Sequence, residues 1–565
     1  MGLTRRGLIG RGAAAGGALL GSAGLSIPRT ALAGSEGESV FQMRLPRDSP
    51  SAAAAAPSAA GTDVRWTSGV IQAPRRFELL GVEWNGASDP HIQVRARAGD
   101  GRWSDWLEAP LAHGHGPDDK PARLTDPVWT GPARLFQMRA AQPLSRARVV
   151  FVDSGMQATA AATRYVDSGL VAGPGQPKII ARSSWATAAC KPRVPFLFGS
   201  IDLVFVHHTV SSNYYRAGQS AAMVRSICLF HKYGNGWNDI GYNFVVDRYG
   251  QIFEARAGGI DAPIVGAQAG GYNVYSSGIA LLGNFTFGGP ARSAFDSLAQ
   301  LIAWKLSLHG VAVPGHVTVE VTRTGAPYSR YRAGAQVRLN RIAGHRDGDA
   351  TACPGNGMYR QLPRLRQRVR QLAPRVSSLT AQPAPGGPGT AALTGVLSAG
   401  GVPIAGAGVE LQRHNAGGLT TVASTTTAPD GTWTAAGPVD RNTFLRALYR
   451  GDPEHSAVVS PLVEATIATQ ISLTASAQQV APGGVIQFSG VVSPVKPKVS
   501  IVLSQQQADG TFAPVRTIRF SAAADGTIAR TIGFPSAGRY QVIAQTPADS
   551  TNAAGASAPV AVTVA

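Results

Sequence analysis

Apolar and polar residues alternate through much of the first third of the chain. In His91-Ile92-Gln93-Val94-Arg95-Ala96-Arg97, Ile92, Val94 and Ala96 share one face and Gln93, Arg95 and Arg97 the other, as in a half-buried strand. Similar stretches at 77–84, 135–140 and 147–152 predict an N-terminal β-sandwich domain over residues 63–170. From 171 to 376 the period changes, and a mixed α/β domain with flanking helices is expected. It has a buried strand at 203–206, a helix at 220–233, a hairpin joining 243–246 to 251–254, a strand at 279–282 and a helix at 293–309. A last helix carries Met358, Leu362, Leu365, Val369 and Leu372 at helical spacing. Short alternating strands then return. Asp430-Gly431-Thr432 recurs as Asp525-Gly526-Thr527, and Phe444-Leu445-Arg446-Ala447 as Tyr540-Gln541-Val542-Ile543, a repeat of about 95 residues that predicts two Ig-like sandwiches at 391–467 and 468–565. Alanine-rich residues 34–62 and the Pro/Gly-rich stretch 377–390 read as linkers.

The length of 565 residues supports this multidomain division, since one domain takes roughly 100 to 200 residues. Residues 1–33 read as an export signal instead of a folded element. Thr4-Arg5-Arg6-Gly7-Leu8-Ile9 is a twin-arginine pattern, an apolar stretch follows, and Ala31-Leu32-Ala33 offers a cleavage site. Beyond it no run reaches the roughly 18 apolar residues that a membrane span needs. The mature protein is therefore expected to be extracytoplasmic and cell-wall associated, exported by the Tat pathway, and not an integral membrane protein. Loss of the signal removes four arginines and no acid, so the net charge of +19 becomes +15. Such a field favours polyanions; outside the cell these are anionic wall polymers, not nucleic acid. Trp103 and Trp106, flanking Ser104-Asp105, read as core and rim residues of the sandwich or as a platform for sugar rings.

The chemistry concentrates in the middle domain. Val206-His207-His208-Thr209 ends a strand, and Gly344-His345-Arg346-Asp347 lies far downstream with Thr351-Ala352-Cys353-Pro354-Gly355 close behind. Two imidazoles and a thiolate suit tetrahedral Zn²⁺ with its fourth position open for water, the arrangement of metal-assisted hydrolysis. Adjacent side chains of a strand point to opposite faces, so His207 and His208 cannot both reach one metal without distortion. With Trp237-Asn238-Asp239-Ile240-Gly241-Tyr242-Asn243-Phe244 between them, these motifs resemble the peptidoglycan recognition protein family, related to the type 2 N-acetylmuramoyl-L-alanine amidases. The resemblance covers about 178–372.

That resemblance implies a zinc amidase cutting between the lactyl group of N-acetylmuramic acid and L-alanine. His207, His345 and Cys353 are the implied ligands, Tyr242 the implied oxyanion donor, and Thr351 stands where related amidases place Lys or Thr. Gly236 and Trp237 with Arg256 match positions that accompany meso-diaminopimelate stem peptides, and an Arg fork suits the extra carboxylate. The implied partner is peptidoglycan. A non-catalytic peptidoglycan-binding or sensing protein is the alternative, disfavoured by the retained Cys353 and Tyr242. With Cys353 assigned to the metal, Cys190 and Cys228 are left either to bridge or to remain as thiols.

Overall fold

The computed structural model describes residues 37–45, 64–84, 90–111, 124–144, 147–156, 163–373, 375–387, 389–415 and 418–565. The expected signal, 1–33, lies outside the described residues. Among them the N-terminal unit is one antiparallel sheet of seven strands. Its order is Ser39–Arg44, Arg148–Asp153, Ile71–Glu83, Val128–Ala140, Ile92–Ala98 and Leu107–Ala109, with Trp66–Thr67 beside Val128–Ala140. The two longest strands pair with register shifts, where extra residues bend a strand. Residues from both ends of the strand order, such as Phe41, Phe151, Val94 and Ala109, consequently meet in one core.

The first strand corrects the expectation of an uninterrupted linker over 34–62. Ser39–Arg44 pairs along its whole length with Arg148–Asp153, and Phe41 stacks on Phe151 at 5.1 Å. Three apolar side chains, Val40, Phe41 and Met43, suffice to recruit it to the sheet edge. Trp103 and Trp106 also have partners: the Arg95 guanidinium lies 4.8 and 4.6 Å from their ring centres, and Arg139 lies 4.5 Å from that of Trp106. These contacts hold both rings by cation–π attraction.

The middle unit is built on a seven-stranded mixed sheet, ordered Ile342–Gly344, Leu203–His208, Ser276–Leu281, Phe244–Val246, Ile252–Glu254, Ile179–Ile180 and Tyr165–Val166. Val204, Val206, Ile279 and Leu281 pack against the helices Arg292–Leu308 and Leu362–Leu372 on one face. Val245, Phe253 and Ala280 pack toward the helix Ser220–Leu229 on the other. That helix runs on into a π-helical turn, Phe230–Gly234. Cys190 and Cys228 are bridged, with Cα atoms 6.1 Å apart, within disulfide range.

The second face of the N-terminal sheet completes this core. Val40, Leu79, Trp129, Val150 and Val152 share a buried cluster with Met223, Ile227 and Phe230. Strand Arg148–Asp153 is accordingly apolar on consecutive positions, because both of its faces are covered.

The C-terminal part forms two successive units of paired sheets, five and five strands, then three and six. The repeat has a local cause: in each copy an aspartate side chain accepts from the threonine amide two residues on, Asp430 from Thr432 and Asp525 from Thr527. The glycines between have φ of 76° and 85°, a conformation glycine adopts without strain. The expected linker 377–390 is not purely a spacer. Ser377–Leu379 and Gln382–Ala384 pair with Thr390–Ala399, Leu379 is buried, and Pro383 is tolerated because its strand lies at a sheet edge. The first C-terminal unit also abuts the middle one. Leu448, Ala457 and Val459 enter its helix-side core, and Arg446 pairs with Asp261 at 2.6 Å.

Candidate metal centre

Parallel register brings the two histidine motifs together. Val206 lies opposite Gly344, so His207 and His345 leave the carboxyl ends of neighbouring parallel strands, where ligands of α/β sheets gather. Their ring centres are 4.5 Å apart. Cys353 comes from the following loop, and one donor atom from each of the three residues lies within 4.8 Å of the others. Cys353 Sγ is 3.7 Å from His207 Nδ1, and the amide of His208 donates to that sulfur at 3.4 Å.

The outer nitrogen of each imidazole is held. His207 Nε2 lies 2.6 Å from Gln268 Oε1, and the Gln268 amide nitrogen is held in turn by Ser276 Oγ. His345 Nε2 lies 2.9 Å from Asp349 Oδ2, which also accepts from the Gly270 amide. An oxygen acceptor on Nε2 puts the proton there and leaves Nδ1 bare for a cation. Gly278 makes room for this support, because a Cβ there would fall 2.3 Å from Gln268 Cγ. Burial, followed by the neighbouring His345, lowers the His207 pKa well below its ordinary value. The donor set, two neutral imidazoles and a thiol, fits zinc.

His208 takes the opposite direction, as strand alternation requires. Its Nδ1 accepts from the Phe285 amide, and burial pushes its pKa down to about 3. Tyr242 stands 5.4 Å from the His207 ring, centre to centre. Burial foremost, then the charges of Asp126 and Cys353, raises its pKa well above the ordinary value, so the phenol keeps its proton. Thr351 Oγ1 accepts from the Cys353 amide at 3.1 Å, which shapes the ligand loop and leaves its hydroxyl proton able to donate.

The three residues expected to read the stem peptide are placed differently from one another. Gly236 is exposed with φ 80°. Trp237 is buried with its ring 4.5 Å from that of His231. Arg256, 6% exposed, donates to the Ile240 carbonyl at 2.9 Å, so it braces the loop before Tyr242 and presents little of its fork at the surface. His231 accepts from the Gly241 amide in the same loop. Sequence reasoning missed Gln268 and Asp349. Asp349 follows His345 by one helical turn and carries a signal; Gln268 comes from a remote segment with none.

Fold and site together define a mixed α/β domain with a preorganised His/His/Cys cluster. A family model described as N-acetylmuramoyl-L-alanine amidase matches residues 197–356, and a second, described as Rv3811 N-terminal galactose-binding domain-like, matches 42–166. A peptidoglycan-recognition protein of Drosophila simulans is 31% identical over 194 residues, covering 34% of this chain and 89% of that protein. The N-acetylmuramoyl-L-alanine amidase of Sus scrofa is 28% identical over 268 residues, 45% of this chain and 38% of that one. The solved structure of wild-type Drosophila PGRP-LB is 25% identical over 33% of this chain and 91% of that one, with a TM-score of 0.25. The chain belongs to the peptidoglycan-recognition protein and N-acetylmuramoyl-L-alanine amidase family. No helix among the described residues is long and apolar enough to cross a membrane.

Proposed function

We propose that this protein is an exported zinc-dependent amidase that hydrolyses the bond between the lactyl group of N-acetylmuramic acid and the L-alanine of the stem peptide. The observation that carries the reading is the convergence of His207, His345 and Cys353 with both imidazoles oriented from behind by Gln268 and Asp349. A zinc ion bound by these three residues would supply Lewis acidity toward the attacking water and the scissile carbonyl. The chain's own groups do the rest. Tyr242, neutral and half-buried beside His207, offers a phenolic proton to the oxygen that gains charge as the carbonyl is attacked. The Thr351 hydroxyl is a second donor on the ligand loop, and the Gly236–Tyr242 loop, braced by Arg256, forms the adjoining wall.

The preference we assign is for meso-diaminopimelate stems, on the match of Gly236, Trp237 and Arg256 to the family positions that accompany them; buried Arg256 would act by setting the Gly236–Tyr242 loop and not by presenting its fork to the stem. The two C-terminal units are Ig-like modules that hold the enzyme at the wall, and the positive charge of the chain favours anionic wall polymers as their surroundings. Export through the Tat pathway fits a protein that crosses the membrane already folded. Chelation tests the catalytic core. Purified protein stripped of metal should lose cleavage of soluble muropeptides and regain it with one equivalent of Zn²⁺. Binding without cleavage in both states would favour a sensing role instead.

A further inference from the structure

The helix Leu362–Leu372 carries charge that the amidase chemistry does not use. Arginines stand at 364, 366, 368 and 370, with Arg360 just before the helix and Arg375 just after it. No Asp or Glu occurs between Asp349 and Glu410. Leu362, Leu365 and Val369 are buried. Helical spacing puts Pro363, Arg364, Gln367, Arg368, Arg370 and Gln371 on the opposite side, and all six are exposed. That side presents cations and no anion.

The elements packed around it do not neutralise it. Helix Arg292–Leu308 has one acid, Asp296, whose partner is Arg292 at 3.6 Å. Asp347 accepts from the Tyr359 hydroxyl and the Gly344 amide. The Arg364 guanidinium lies 5.0 Å over the Phe295 ring. The arrangement also works against the helix itself. Arg364 and Arg368, like Arg366 and Arg370, are like charges four residues apart, which oppose helix formation. Arg364 lies in the first turn, where the helix dipole disfavours a cation, and no acid there offsets it. An external anion relieves both effects.

The form of the face selects the anion. Four residues advance about 6 Å along a helix, so Arg364 and Arg368, with Arg360 before them, make a row of separated charges. Such a row suits a linear polymer with an anion on each repeat better than one compact ion. Every cation is an arginine, whose planar fork holds phosphate oxygens through two parallel bonds. A lipid surface fits less well, because an interfacial helix inserts its apolar side, and here that side is buried in the core of the amidase unit.

We infer that the exposed side of helix Leu362–Leu372 is a binding face for a linear phosphodiester polymer of the cell wall, built into the amidase unit itself. The inference rests on the exported, wall-acting reading above. Arg366, on the inner flank of the helix, donates to the Ile342 carbonyl at 2.9 Å, and strand Ile342–Gly344 leads directly to His345. A polymer held on this face therefore keeps the metal centre at the wall without help from the C-terminal units.

The test uses the full chain at physiological ionic strength with three probes: soluble poly(glycerol phosphate), phosphatidylglycerol vesicles and duplex DNA. One variant carries Arg364→Gln, Arg368→Gln and Arg370→Gln. A charge-matched control carries Arg516→Gln, Arg519→Gln and Arg539→Gln, three exposed arginines of the last unit. The wild type should bind poly(glycerol phosphate) more tightly than vesicles or DNA at equal phosphate concentration. The helix variant should lose at least about tenfold in affinity for that polymer, with a shallower salt dependence, while the control stays within about twofold. Its Tm should not fall, and kcat on a soluble muropeptide should be unchanged in both variants. Equal losses in the two variants would reduce the effect to net charge and overturn the inference. Unchanged binding, tighter binding to vesicles or DNA, or a lower Tm that makes the arginines structural would overturn it too. A zinc-loaded wild type that binds the polymer and cleaves nothing would overturn the amidase reading alone.

Discussion

Cys353 is the one donor of the cluster that can bring a negative charge to a cation, and its sulfur already accepts the His208 amide. Cys353→Ser should therefore cost more zinc affinity than Asp349→Ala, which loses only the acceptor behind His345 and should weaken binding by roughly 10- to 100-fold. Metal titration of the two variants checks the order, and equal affinities would remove Cys353 from the ligand set. Tyr242→Phe should leave zinc binding intact and lower kcat about 100-fold, the usual cost of an oxyanion donor; an unchanged kcat would exclude the phenol from the reaction. At this scale the sequence was readable where local geometry decides. Strand alternation separates His207 from His208, and the structure turns them apart accordingly. Gln268 could not be found that way, because its position behind His207 depends on a neighbouring strand and on the missing side chain of Gly278.

At the scale of elements, long periodic segments were legible and short ones were not. The strand at 203–208 and the helices near 220 and 292 follow their apolar spacing. The helix expected to run to 233 changes to a π turn at Phe230, where the N-terminal sheet presses on that ring. Strands Ser39–Arg44 and Ser377–Leu379 were hidden in polar, small-residue stretches, because pairing with a distant partner, not local pattern, makes them strands. The Cys190–Cys228 bridge ties the Ala188–Cys190 turn to the helix that underlies the Gly236–Tyr242 loop. It closes a loop of 38 residues, so replacing both cysteines with serine should cost about 4 kcal/mol of stability. Denaturant unfolding under non-reducing conditions measures it, and an unchanged midpoint would mean the bridge constrains little.

For the whole molecule, separate domains on linkers is too loose a picture. The N-terminal sheet shares its core with the Ser220–Leu229 helix, and Leu448, Ala457 and Val459 of the first C-terminal unit close the opposite core. Sequence periodicity shows which faces are apolar but not which unit covers them, which is why these interfaces were not legible. Deleting residues 377–565 should expose part of the helix-side core and lower Tm by at least about 5 °C, while the folded remainder still cleaves soluble muropeptides; an unchanged Tm would restore the view of an independent spacer. The central claim is the bond that is cut. Purified meso-diaminopimelate muropeptides incubated with zinc-loaded protein, then resolved by mass spectrometry, should yield the free stem peptide beginning with L-alanine and the intact N-acetylmuramic acid-bearing glycan. Recovery of only uncleaved muropeptide, or of fragments broken within the glycan or the peptide, would contradict the account.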